Sequence, residues 1–114
     1  MSKSPTTMTE KAPAMGFQAT DNLPPIHPGE FLADELTALG LSARKFAIHI
    51  GVPANAITAI IKGERGVSAE MAMRLGKAFG TGERYWINLQ THYEAKRARI
   101  KLGEKIAAIQ SLVA

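Results

Sequence analysis

The chain has 114 residues, enough for one domain with a modest core, and no cysteine, which excludes disulfides, thiol catalysis and zinc–cysteine sites. Its net charge of +4 is unevenly placed: two basic and five acidic residues give residues 1–38 a charge of −3, and residues 39–114 carry +7. No run approaches the roughly 20 apolar residues of a membrane helix, and no signal-peptide pattern follows the first lysines. A bacterial cytoplasmic protein without a membrane partner is therefore expected, and its basic part is expected to face a polyanion, although solubility alone also accounts for such charge.

Residues 1–25, MSKSPTTMTEKAPAMGFQATDNLPP, are rich in Ser, Thr and Pro without apolar periodicity and read as a flexible tail. A first helix is predicted from Pro28 to about Leu39. Proline suits its first position, Glu30 suits the positive end of its dipole, and Phe31, Leu32, Leu36 and Leu39 form an apolar stripe that Glu35 interrupts. Ser42 caps a second helix, Ala43 to Ile50, which Gly51 ends. Pro53 opens a third, running to about Lys62. Ser68 caps a fourth, Ala69 to Phe79. A last helix, or helix pair, starts near Glu83 and carries Trp86, Leu89, Gln90 and Tyr93, then Lys96, Arg97, Arg99 and Lys101. An apolar stretch from Ile106 to Val113 follows Gly103. Strand signals and internal repeats are absent, so the fold class is all-α: a compact five-helix bundle. The domain reading is a tail over 1–25, a main helical domain over 26–94 and a C-terminal helical extension over 95–114.

Helices two and three are joined by only Gly51 to Pro53, which suits the steep crossing of a helix-turn-helix. In ARKFAIHIGVPANAITAIIK, Ala47 is small enough for the third helix to cross the second closely. Gly51 can turn the chain at positive φ, and Ile57 and Ile60 face inward, with Phe46 and Ile61 sealing the pair. Asn55, Thr58, Ala59 and Lys62 then form an outward stripe. Asparagine can bond adenine twice in the major groove, and Thr or Ala can meet the thymine methyl. Lys62 and Arg65 can reach phosphates, as can Arg44 and Lys45 at the start of the second helix. Pro53 and Ala56 complete the expected DNA-binding set.

The stretches IHPGEFLADEL and LSARKFAIHIGVPANAITAIIKGERGVSAEMAMRLGKAFGTGERYWINLQTHYE, spanning Ile26 to Glu94, resemble the HigA-type antitoxins of the Xre/Cro group. "HPGE", "ERGVSAEMAMRLGKAFGT" and "YWINLQ" are the specific parts. The resemblance implies a lambda-repressor-like helix-turn-helix domain that dimerises, represses its own promoter and neutralises a RelE-like mRNA-cleaving toxin. Two features depart from the family pattern. Ala43 stands where many Xre proteins carry a phosphate-binding glutamine, with Arg44 beside it as a substitute. The tail before Ile26 is also long.

Trp86, Leu89 and Tyr93 share one face of the last helix and are expected in the core, at a homodimer interface, or both. Glu30, Asp34 and Glu35 make an acidic face on the first helix. It reads as solvated surface or as a site for a basic toxin, and acid–base chemistry is set aside. His27, His49 and His92 have no metal-ligand spacing. No cofactor and no enzymatic activity are expected. The rival readings are a stand-alone repressor without a toxin, which the neighbouring gene would decide, and a protein-masking module with vestigial DNA binding.

Overall fold

The computed structural model describes residues 23–113. Among them are five helices and no strand: α1 (Pro28–Leu39), α2 (Ala43–Ile50), α3 (Ala54–Ile61), α4 (Ala69–Phe79) and α5 (Glu83–Ala107). The first 22 positions of the expected tail lie outside the described residues. Leu23 to Ile26 are described and run beside α5, with Pro25 half-buried.

Short-range chemistry fixes the helix ends. The Ser42 hydroxyl accepts the Lys45 amide at 3.1 Å and the Ser68 hydroxyl accepts the Met71 amide at 3.1 Å. Each bond satisfies one of the donors a helix start leaves open. Pro53 sits one place earlier than expected, as the N-cap of α3 rather than inside it, and Lys62 is its C-cap.

The last element, open in the sequence as one helix or a pair, is α5. It is one helix of 25 residues that passes straight through Gly103. A helical glycine costs about 1 kcal/mol, and the good helix formers on either side outweigh it. The expected domain boundary after Glu94 therefore falls inside a continuous helix, and only the first two residues of the Ile106–Val113 stretch are helical.

The core is apolar throughout. Leu32, Ile57, Ile60, Ala72, Leu75 and Trp86 are fully buried, with Leu36, Phe46, Ala47 and Val67 close behind. Among the described residues no charged or polar side chain is buried. Leu39, expected in the apolar stripe of α1, is instead exposed at the helix end. Trp86 is in the core and not at a partner interface: it has no exposed surface, tilts against Phe79 with ring centroids 5.7 Å apart, and donates its indole N–H to the Thr81 hydroxyl at 3.1 Å.

His27 joins three elements. Its Nδ1 accepts the Gly29 amide at 2.8 Å and so caps α1. Its ring meets Tyr93 of α5 edge-on, with centroids 4.8 Å apart, and hydrogen-bonds the Arg65 backbone in the loop after α3. At Gly29 the chain runs so close to α3 that a Cβ would overlap the Ile60 carbonyl. That closeness leaves no alternative to glycine. The same loop is held from its other end by Gln90, whose Oε1 accepts the Val67 amide at 2.7 Å.

The His27 cap requires an unprotonated Nδ1, and burial lowers the imidazole pKa below its ordinary 6.5 despite the opposing pull of the Arg65 backbone and Glu30. A lowered value means the fold favours the neutral ring. The resulting stability is complete above the unfolded value and is lost as pH falls below 6.5 through the folded value. Urea unfolding across this window should show stability declining with acid. His27→Asn keeps a capping acceptor without a titration and should flatten that part of the profile; an unchanged slope in the variant would show that His27 is not its source.

Candidate nucleic-acid interface

The two faces of α3 differ completely. Ile57 and Ile60 are inward and fully buried, while Asn55, Thr58 and Lys62 are exposed and Ala59 sits half-buried at the edge. Ala56 is corrected by this geometry. It is 4% exposed and packs in the core, because a helical step of about 100° from Asn55 turns it to the inner side. In its place stands Ala54, exposed and four residues before Thr58, hence on the same face. The Thr58 hydroxyl donates back to the carbonyls of Ala54 and Asn55, at 3.4 and 3.3 Å. This leaves the methyl as its main offering to a ligand. The outer face is thus small and nearly uncharged, with one amide at its start and one cation at its end.

The flanking charges break a helix rule. Negative side chains are favoured in the first turn of a helix, where the dipole is positive. Three helices obey, with Glu30 in α1, Glu70 in α4 and Glu83 in α5. The two helices of the helix-turn-helix have no acidic residue there, and α2 has Arg44 and Lys45 instead. Both side chains are exposed. Cations at that end oppose the dipole, a cost that an external anion removes while also meeting the open amides of the first turn. Lys62 and Arg65, both exposed, follow α3, with the acidic Glu64 between them.

The turn between α2 and α3 is clamped from α4. Gly51 takes φ 75°, which a side chain resists, and ends α2. Arg74 donates through Nη1 to the Ile50 carbonyl at 2.6 Å and is itself gripped by Glu70, at 3.2 Å from Nε and 3.1 Å from Nη2. The clamp fixes the angle at which α3 leaves α2. Sequence reasoning missed Arg74 and Gln90, and treated His27 only as a rejected metal ligand. The partners of Arg74 and Gln90 lie 24 and 23 residues away, and Tyr93 lies farther still from His27, so no local pattern marks them.

The remaining expected sites are separate. Leu89 and Tyr93 are half-buried and line a groove of about 650 Å³ with Leu23, Pro24, Ile26 and Phe31, rimmed by Lys96 and Arg99. Glu30 and Asp34 are exposed on α1, and Glu35 is half-buried. Glu30 is near enough to His27 to act on its titration.

Residues 32–86 match the family model described as HTH_3, helix-turn-helix. Virulence-associated protein I of Dichelobacter nodosus is 40% identical over 79 residues, covering 68% of this chain and 73% of the relative. An addiction module antidote protein of the HigA family from Coxiella burnetii is 44% identical in structure-based comparison, with a TM-score of 0.76, covering 80% of this chain and 100% of that one. The Pseudomonas aeruginosa antitoxin HigA, solved with the higBA promoter, is 40% identical at a TM-score of 0.73, covering 78% of this chain and 99% of that one.

Proposed function

Because the chain belongs to the HigA family of helix-turn-helix antitoxins, we propose that it is a DNA-binding antitoxin that represses its own operon and neutralises a RelE-like, mRNA-cleaving toxin. The observation that carries the DNA reading is the pairing of a small, exposed α3 face with cations where the α2 dipole disfavours them. In this reading α3 lies in the major groove, and its small side chains let it sit deep. Asn55 bonds an adenine edge, and Ala54, Thr58 and Ala59 meet thymine methyls. Arg44, Lys45, Lys62 and Arg65 hold phosphates, together with the open amides of α2. Pro53 sets the entry of α3 and touches DNA only at its rim.

A homodimer fits the same function. Two copies joined through the groove beside Leu89 and Tyr93 would read a pseudo-palindrome with half-sites about one helical turn apart. The acidic α1 face, Glu30, Asp34 and Glu35, is the proposed toxin contact. A ribonuclease must hold RNA phosphates, so its working surface is basic, and opposite potentials speed and orient the encounter.

Asn55→Ala should cost about 1–3 kcal/mol on a duplex from the chain's own promoter and much less on random DNA. Titration of both duplexes decides it, and an equal loss on each would remove Asn55 from base readout. For the toxin, the neighbouring gene's product should be captured poorly by Glu30→Lys with Asp34→Lys, and normally by Asn55→Ala with Lys62→Ala. The reverse pattern would mean that the wrong face has been assigned.

A further inference from the structure

The second half of α5 is a helix with little to support. Among the described residues none after Trp86 is buried, and from Arg97 to Ala107 every position is exposed except Gly103. Residues 95–107 carry five cations against the single acid Glu104. Three of these cations, Arg97, Lys101 and Lys105, recur every fourth residue, so they form one stripe rising about 6 Å per step. Among the described residues none of the three is in an ion pair. Glu94, three residues before Arg97, is engaged by the Gln90 amide at 2.7 Å.

The stripe starts beside the proposed DNA-contacting loop. Gln90, one to two turns before Arg97, holds the Val67 amide at the end of that loop. The Arg97 guanidinium lies over the Tyr93 ring, 5.4 Å from its centroid. Tyr93 meets the His27 ring, and His27 bonds the Arg65 backbone. Rings and backbone thus couple the loop bearing Lys62 and Arg65 directly to the foot of the stripe. From there the basic surface continues along the free arm.

We propose that Arg97, Lys101 and Lys105 form a second anchor for the DNA backbone, gripping phosphates beyond the stretch that α3 reads. The proposal rests on the DNA-binding reading above and adds a part of the molecule that no base contact involves. A second copy is a poor occupant for the stripe, since two arms of the same positive charge would face each other across it. A phosphate backbone matches it in charge. Contacts of this kind carry no sequence information, so they would raise affinity on every duplex alike.

The test is the salt dependence of binding to the promoter duplex and to random DNA. Each phosphate contact contributes about 0.9 to the slope of log affinity against log salt. Arg97→Gln with Lys101→Gln and Lys105→Gln should therefore lower the slope by about 2 to 3. The ratio of promoter to random affinity should stay the same. A control with charge loss elsewhere, Lys77→Gln with Arg84→Gln, should lower it by less than about one. An unchanged slope in the stripe variant, an equal fall in both variants, or a changed affinity ratio would each overturn the anchor. So would a loss of self-association at unchanged slope, which would assign the stripe to a second copy. The Asn55 titration is independent: its failure would remove base readout by α3 and leave the slope result standing.

Discussion

An eight-residue helix does not hold itself together in water. Isolated helices shorter than about 12–15 residues are marginal, because few hydrogen bonds repay the cost of nucleation. The helix α3 exists because Ile57 and Ile60 are completely buried and Ala56 nearly so. Its inner face is wholly committed to the core, which is why its outer face can be chosen for a ligand. The rest of the domain follows from keeping that inner face covered. Ala47 is small where α2 and α3 cross, Gly29 lets α1 touch the Ile60 carbonyl, and Trp86 is spent on the core.

Positioning and charge are then added around a fixed helix. Arg74 sets the turn before α3, while His27 and Gln90 hold the loop after it. The clamps bond to backbone atoms, so they fix geometry while leaving the side chains of the loop outward. The cations of α2 are placed against the local dipole, whereas the acids of α1, α4 and α5 follow it. A protein selected for stability alone would place an acid there, since each such charge is worth about 0.3–1 kcal/mol. Giving up that stability in one helix of the motif is a physical sign of where an anion belongs.

Much of this was legible in the sequence because it is local. Ser42, Ser68 and Gly51 mark helix ends by chemistry within a few residues, and the spacing of Ile57 and Ile60 gives the inner face of α3. The same periodicity, applied strictly, also turns Ala56 inward, and Ala54 belonged in the outward set. Tertiary burial decided the other departures. Trp86 lies on a face with Leu89 and Tyr93, and the sequence has no means of saying that the core takes all of Trp86 and half of the other two. Gly103 left one helix or a pair open, and a single glycine amid strong helix formers is too small a penalty to end α5. His27, Arg74 and Gln90 act through contacts between distant segments, which periodicity cannot reveal.

The central claim is that one face of α3 is held by the core and the other is free to read DNA. Amide chemical-shift mapping by NMR, as the duplex from the chain's own promoter is titrated into the protein, tests it most directly. The expected shifts concentrate at Asn55, Thr58 and Lys62 and at the first amides of α2, with Asp34 on α1 unmoved. Random DNA should leave the Asn55 and Thr58 shifts weaker than those of the basic residues. Shifts centred on α1, or a pattern at α3 identical for promoter and random DNA, would contradict the claim.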